Sequence, residues 1–357
     1  MLRWAFVVLA SASIVTAAGA APPEIPAARG VKPAIRGLIS MGAYRFVGQG
    51  GDPINTLAPV RAKPGIFDGI VIVASWNQLQ PSADSGLEPN NAIDQALEEV
   101  RAYNAEYPKT PLAVKLRVWG GFVAPQWAIE LGGGPIKVVH EEKERVIGHV
   151  WGPPYRKAWR NLQDMLAAKY DAEPLIHEVA ITSCMMLTAE PFFVPTEKPE
   201  FMKPLRAAGF RDAPYRECLK SAVDDYAAWT RSRLVFSLNP FRKSDGGPTA
   251  LDYAFTEEVM RSCRATLGQR CVFDNHNLDA NPPKTILPVY DLIKQLGPEI
   301  EFQTYRKTPA NFLATIRRGV ELGASAIELW QDYGGFPEVE EAKLRHWAQL
   351  IKKNPTR

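Results

Sequence analysis

The sequence predicts an α/β fold in which eight parallel strands form a single (β/α)8 TIM barrel. Two observations lead to this prediction: eight short β-rich segments alternate with amphipathic helical segments, and each β-rich segment is an almost continuous apolar run. Such runs are typical of parallel strands buried on both faces. Eight strand–helix units of about 40 residues each also match the size of this barrel. The alternative is a doubly wound open sheet, but residues 48–53 after the first strand, GQGGDP, lack the GxGxxG pattern of its phosphate turn.

The predicted elements follow one another along the whole chain. The strands are expected at residues 36–42, 68–76, 112–120, 177–185, 233–239, 270–277, 299–305 and 325–331. The helices are expected at residues 91–107, 155–170, 215–232, 250–268, 285–297, 310–323 and 339–353. The connection 54–66 has room for only a short helix, because Pro59 and Pro64 would break a longer one. Long insertions follow strands three and four, at 121–152 and 192–214, and we expect them to shape a ligand cleft.

Three parts are predicted along the chain: a signal peptide over residues 1–20, an N-terminal arm over 21–35 and the barrel over 36–353. The first part carries Arg3 as its only charge, continues with an apolar stretch and ends in the small residues that a signal peptidase accepts. This stretch is shorter than the roughly 20 residues that a membrane-spanning helix requires. The sequence therefore favours a secreted or periplasmic protein over an anchored one.

Cysteine usage and charge narrow the class of protein further. Export permits disulfides, and Cys263 and Cys271 are the best candidate pair because they lie close together, with buried free thiols as the alternative. The four cysteines form no CxxC, so no zinc site is expected. The 42 Lys and Arg residues against 39 Asp and Glu residues leave a net charge of +3, which provides no basic field for a nucleic acid. We also expect no cofactor and no membrane span after signal cleavage.

Carboxylates, amides and aromatic rings gather at the carboxyl ends of the predicted strands, where the active site of such a barrel lies. The carboxylates are Glu190, Asp274 and Glu328, and the candidate ligand-binding residues are Trp76, Gln78, Trp119, Asn239, Asn275, Asn277, Gln303, Trp330 and Tyr333. Asn and Gln both donate and accept hydrogen bonds, which suits a hydroxyl-rich ligand. Aromatic faces suit the CH face of a sugar ring, although Trp76 and Trp119 could equally fill the core. This inventory predicts an oligo- or polysaccharide as the partner.

Two short motifs resemble those of a known family. The run LTAEP after the fourth strand resembles the (N)EP signature of the retaining clan A glycoside hydrolases, and VIVASWNQLQP resembles the strand-two region of related beta-galactosidase-like barrels. The resemblance spans roughly residues 36–350 and implies that Glu190 is the general acid/base. The family has Asn where this chain has Ala189, and a nucleophilic Glu at the strand-seven level where this chain has Gln303 or Thr304.

The second carboxylate of such a reaction is therefore expected elsewhere. Glu328 is the first candidate, and the alternative for it is a salt bridge inside the barrel. Asp274 is the second candidate; it lies in the polar run Asp274-Asn275-His276-Asn277, which could also be a loop held by Asx turns.

Two functions remain open at this point. One is a secreted glycoside hydrolase that cleaves a β-linked saccharide with Glu190 as proton donor. The other is a non-catalytic carbohydrate-binding barrel. A hydrolase that uses Ser or Cys is disfavoured because the sequence has no GxSxG.

Overall fold

Eight parallel strands curl into a nearly closed barrel in the computed structural model, which describes residues 30–41, 57–247, 250–305, 311–330 and 341–354. The barrel strands are β1 Gly37–Ser40, β2 Phe67–Ser75, β3 Ala113–Trp119, β4 Ile176–Ala180, β5 Arg233–Ser237, β6 Cys271–Asp274, β7 Glu301–Gln303 and β8 Ala326–Leu329. Hydrogen bonds join them in the order β6-β5-β4-β3-β2-β1-β8-β7, and a parallel bridge between Phe273 and Ile300 connects the two ends of this series. The predicted barrel is thereby confirmed, and the open-sheet alternative is wrong.

Helices cover the outside of this barrel. They are α1 Leu57–Ala62, α2 Trp76–Leu79, α3 Ala92–Glu106, α4 Gln126–Ile129, α5 Pro153–Tyr170, α6 Pro199–Ala207, α7 Asp212–Lys220, α8 Tyr253–Leu267, α9 Leu287–Leu296, α10 Phe312–Glu321 and α11 Glu341–Lys353. Helix α3 begins at Asn91, whose side chain accepts from the N–H of Asp94 while the Asp94 side chain accepts from the N–H of Asn91. This capping box satisfies two N–H groups that a helix start otherwise leaves free. Among the described helices, none is long and apolar enough to cross a bilayer.

Two apolar layers hold the barrel and its helices together. Outward-pointing strand residues such as Leu38, Ile70 and Leu116 pack against the helices in one large cluster. A smaller cluster, which includes Ile39 and Val71, lies on the opposite side of the same strands, inside the barrel. The alternation of residues along each strand produces both layers, because successive side chains point to opposite faces.

The segment before β1 closes the amino-terminal end of the barrel. Ile35 belongs to the inner apolar cluster, and its backbone N–H donates to Oε1 of the buried Glu178 over 2.7 Å. The ammonium of Lys32 donates to the backbone oxygens of Glu173 and Ile176, at 2.7 and 2.6 Å. This part of the predicted N-terminal arm is therefore packed against the barrel; the predicted signal peptide and residues 21–29 lie outside the described residues.

Both insertions contain ordered elements. Within the insertion after β3, residues 136–140 and 143–147 pair as an antiparallel hairpin. Its His140 ring contacts Phe193 and Phe201 of the insertion after β4, with ring centroids 6.3 Å apart in each case. The two insertions thus pack against each other.

Two disulfides join elements around the barrel. Cys263 at the end of α8 is bonded to Cys271 at the start of β6, which confirms the predicted pair. Cys184 and Cys218 form a second bond across a sequence separation of 34 residues. The second bond could not be predicted from spacing, because the barrel fold alone brings α7 beside the loop after β4.

Gly121, directly after β3, occupies a position that only glycine fits well. Its φ is +55°, and a Cβ there would lie 2.2 Å from the backbone oxygen of Met186. We expect Gly121→Ala to lower the free energy of unfolding by at least about 2 kcal/mol, since left-handed strain and a backbone clash add together. Gly86→Ala is the matched control, because nothing lies within 4 Å of its added Cβ. Urea unfolding measures the effect, and an unchanged free energy of unfolding in Gly121→Ala would contradict the prediction.

Candidate active site

Glu190 lies on the loop after β4 and reaches towards the carboxyl ends of β5 and β6. Strand β4 ends at Ala180 rather than at the predicted residue 185. The chain leaves the sheet there, because Thr182 is held by Val118 and Tyr226 and Cys184 adopts a left-handed φ of +69°. Glu190 is thus placed by a loop, not by the strand end, and its side chain is 16% exposed.

An imidazole ring connects Glu190 to Asp274. Nδ1 of His276 lies 2.9 Å from Oε1 of Glu190, and Nε2 lies 2.9 Å from Oδ2 of Asp274. His276 follows β6 by two residues, and Asp274 is the last residue of that strand. Both side chains are buried, whereas Glu190 keeps partial access to solvent. The arrangement is therefore a carboxylate at the barrel mouth backed by a buried His–Asp pair.

The charges in this line of residues stabilise an imidazolium. Burial alone would disfavour the charged ring, but Asp274 and then Glu190 outweigh it and raise the pKa of His276 to about 9. Burial also opposes ionisation of Asp274, yet His276, Lys115 and Arg117 hold its pKa well below the usual range. At neutral pH a cationic ring therefore donates to the ionised Asp274 on one side and faces Glu190 on the other.

Ser237, which was not among the predicted site residues, contacts both members of the His276–Asp274 pair. Its hydroxyl lies 2.9 Å from Oδ2 of Asp274 and 2.8 Å from Nε2 of His276. The Ser237–His276–Glu190 contacts resemble the order of a serine hydrolase triad, but a protonated imidazole cannot accept the serine proton. The hydroxyl of Ser237 donates to Asp274 and so stabilises the His–Asp pair.

Three asparagines fix the other oxygen of Glu190. Nδ2 of Asn239 donates to Oε2 of Glu190 over 2.9 Å. Oδ1 of Asn239 in turn accepts from Nδ2 of Asn275 at 3.0 Å and from Nδ2 of Asn277 at 2.8 Å. Two donors on Oδ1 leave the amide nitrogen of Asn239 facing Glu190. The three residues were expected to bind hydroxyl groups, and the structure instead places them in a network that orients Glu190.

Glu328 is not available as the second carboxylate. It is buried on β8, where Arg117 of β3 donates to both of its oxygens, at 2.9 and 2.7 Å. Arg117 and Lys115 lower the pKa of Glu328 despite its burial. Gln303 accepts from Arg117 over 3.4 Å at the strand-seven level. The structure thus shows the salt bridge that was the alternative for Glu328, with its carboxylate 1% exposed inside the barrel.

Asp274 cannot be the second carboxylate either. Its side chain is 1% exposed and lies behind His276, so no ligand at the mouth can touch it. Its role in this structure is to bind His276 and Ser237. This corrects the expectation of a catalytic carboxylate at position 274.

The other predicted ligand residues divide into two groups. Trp76 is fully buried and packs edge-on against Trp127, Tyr155 and Trp159, so it fills the core and is not a ligand platform. Trp119 at the end of β3, Trp330 directly after β8 and Gln78 in α2 are partly exposed. Tyr333 lies outside the described residues.

A buried ionic network that the sequence analysis missed lies below the site. Lys115 forms an ion pair with Glu301 and lies 3.5 Å from Glu328. Burial raises the pKa values of Glu178 and Glu301; the charge of Glu301 adds to the rise at Glu178, and the charge of Asp274 adds to the rise at Glu301. The sequence contains a sign of this network, because Lys115 and Arg117 share one face of an otherwise apolar strand. Two cations buried on that face require partners of opposite charge.

His276 should make the stability of the fold depend on pH. Its pKa rises from 6.5 to about 9 on folding, so its contribution is complete below pH 6.5 and is lost as the pH rises through about 9. This difference corresponds to about 3 kcal/mol. When the pH is raised from about 6 to about 9.5, the free energy of unfolding of the parent chain should fall by about 3 kcal/mol more than that of His276→Gln. Urea unfolding at the two pH values measures this difference. An equal loss in both proteins would contradict the prediction.

In the described part of the chain, no group of three or more His, Cys, Asp or Glu side chains is arranged to hold a metal ion. No protein-family model matches this chain, and no curated protein matches it in sequence.

Solved structures, however, share its fold. The chain resembles the endoglucanase Cel5A of Pseudomonas stutzeri with a TM-score of 0.52 and 10% identity, over 92% of this chain and 98% of that one. It resembles a second crystal structure, described as a glycoside hydrolase, with a TM-score of 0.51 and 12% identity over 90% and 99% of the two chains. Endo-glycoceramidase II from Rhodococcus sp. overlaps with a TM-score of 0.49 and 15% identity, over 87% and 78%. The first two likenesses confirm the (β/α)8 barrel fold that the sequence predicts.

Proposed function

We propose that this chain is an exported glycoside hydrolase that cleaves a β-linked saccharide, with Glu190 as the proton donor. The observation that carries the proposal is the setting of Glu190. It is a partly exposed carboxyl group at the carboxyl end of a (β/α)8 barrel, and each of its oxygens is held by an oriented donor.

The contacts of Glu190 suit it to the work of a general acid. When a protonated Glu190 gives its proton to the leaving oxygen of a glycosidic bond, negative charge develops on the carboxylate. The cationic His276 at 2.9 Å and the amide of Asn239 at 2.9 Å stabilise that charge without having to reorganise. Both groups therefore favour the transition state over the ground state.

Features at the carboxyl end of the barrel are consistent with a sugar substrate. The partly exposed indoles of Trp119 and Trp330 offer faces for a pyranose ring, and Gln78 offers an amide for hydroxyl groups. The clan A motifs and the fold shared with Cel5A point to the same chemistry. The two disulfides and the predicted signal peptide support export, because disulfides persist in oxidising compartments.

One observation favours a second candidate function, non-catalytic carbohydrate binding. At the strand-seven level the chain carries Gln303, and among the described strands Glu328 and Asp274 are both fully engaged with other side chains. A barrel that keeps its polar rim without a free carboxylate partner for Glu190 would bind glycans without cleaving them.

Incubation with a panel of β-linked oligosaccharides and polysaccharides separates the two functions. The hydrolase proposal predicts release of reducing ends from at least one member, measured by chromatography of the products. Calorimetry on the uncleaved members provides the second measurement. Binding without any cleavage would refute the hydrolase and support the binding protein.

A further inference from the structure

We propose that Asp274 is a positioning residue that acts through His276 on Glu190, by holding a cationic imidazole against the carboxylate that proton donation leaves behind. This inference rests on the proposed function of Glu190. Asp274 itself touches no substrate, and it acts on Glu190 only through the imidazole ring of His276.

The geometry fixes that ring at both nitrogens. Oδ2 of Asp274 and the hydroxyl of Ser237 lie 2.9 and 2.8 Å from Nε2, and Oε1 of Glu190 lies 2.9 Å from Nδ1. A neutral imidazole has one N–H, so it could donate to only one of the two carboxylates. Only the protonated ring donates to both, and the structure supplies an acceptor at each nitrogen.

The groups that face the ring and Asp274 support the same charge state. Asp274 on β6 and Glu190 on the loop after β4 attract the imidazolium directly, and Glu328 on β8 attracts it from the barrel interior. Lys115 and Arg117 on β3 attract Asp274 and keep it ionised, while Glu301 on β7 repels it and is itself paired with Lys115. Ser237 on β5 is neutral and donates to Asp274. The ring is thus surrounded by acceptors and carboxylates.

The arrangement gives Asp274 and Asn239 different tasks. Asn239 contributes a neutral donor to Oε2 of Glu190, whereas the Asp274–His276 pair contributes a positive charge at Oε1. Replacing Asp274 by Asn keeps the size of the side chain and a hydrogen bond to Nε2, but it removes the charge that retains the ring proton. The variant Asp274→Asn therefore tests the charge rather than the shape.

NMR of the full chain with 15N-labelled histidine tests this without a substrate. In the parent chain His276 should titrate near pH 9, with both ring nitrogens protonated below that value. In the Asp274→Asn variant, the midpoint of the His276 titration should fall by at least about two pH units. Asp279→Asn is the matched control in the same loop, where Oδ1 accepts from the N–H of Asn281, and it should leave the midpoint unchanged.

Kinetics on a cleaved glycan provide the second measurement. Asp274→Asn should lower kcat about ten- to a hundredfold, with KM changed less than about twofold, because the lost charge acts on the transition state. The alkaline limb of its pH profile should move to lower pH together with the NMR midpoint. A residue with a merely structural role would not shift that limb.

The outcomes distinguish this inference from the function on which it rests. A parent chain in which His276 titrates at the ordinary value refutes the inference, even if Asp274→Asn fails to fold. An unshifted midpoint, or an unshifted alkaline limb, in a folded Asp274→Asn also refutes it. If no glycan is cleaved while the midpoints behave as expected, the proposed function is refuted and the coupling of Asp274 to His276 stands.

Discussion

Replacing Glu190 with glutamine is expected to lower kcat for glycan hydrolysis by about 10²- to 10⁴-fold, the usual contribution of a general acid. Glutamine keeps the size of the side chain and can still accept from Asn239, but it has no proton to give to a leaving oxygen. The affinity for uncleaved substrate should change little, because the change removes a contribution made in the transition state. Initial rates and calorimetry on the same glycan measure the two effects separately.

The matched control lies on the insertion that follows Glu190. Glu200→Gln makes the same chemical change in an exposed side chain at the start of α6. It should keep the parent rate within about twofold, as a surface substitution usually does. Equal rates for Glu190→Gln and the parent chain would show that Glu190 is not the proton donor.

Replacing Arg117 with methionine is expected to lower the free energy of unfolding by about 3–5 kcal/mol. The arginine holds both oxygens of Glu328 in a part of the barrel where the two side chains are 2% and 1% exposed. Without it, Glu328 keeps only the more distant Lys115, at 3.5 Å, among its described partners. Burying a poorly compensated charge is costly, and urea unfolding at neutral pH measures that cost.

Two further variants separate charge from packing. Arg61→Met breaks an exposed ion pair with Glu106, and it should cost at most about 1 kcal/mol. The double variant Arg117→Met/Glu328→Met removes both buried charges, so it should recover most of the stability lost in the single variant. A double variant as unstable as Arg117→Met would mean that packing, and not the unpaired carboxylate, causes the loss.

The barrel was predictable because parallel strands buried on both faces require long apolar runs, and this requirement is local. Each predicted strand overlaps an observed one, and the stripe Ile93, Ala96, Leu97, Val100 and Tyr103 of α3 is buried as its helical spacing indicates. Where a segment ends was less predictable. The predicted strand 177–185 is shortened because Thr182 and Cys184 are held by distant residues. The helix predicted over 215–232 stops at Lys220, and Asp225 beyond it turns inward to bind Ser183.

Residue types at the site were also predictable, but their roles were not. Asn239, Asn275 and Asn277 stand at the strand ends as expected, yet they bind one another and Glu190. A polar side chain at a strand end can contact a ligand or a neighbouring strand, and the residue type fits both. Asp274 and Glu328 were misassigned for the same reason, since an acidic residue in an apolar strand is either functional or paired.

The number and order of the strands and the end of the barrel that carries Glu190 follow from spacing along the chain, and the same spacing made Cys263 and Cys271 the best candidate pair. Which carboxylate reaches the barrel mouth, and which are buried in ion pairs, depends on contacts that only the folded chain makes. Arg117 meets Glu328, and His276 meets both Glu190 and Asp274, across strands far apart in sequence. Ionic contacts depend on separations of a few ångströms in three dimensions, and no local pattern encodes them.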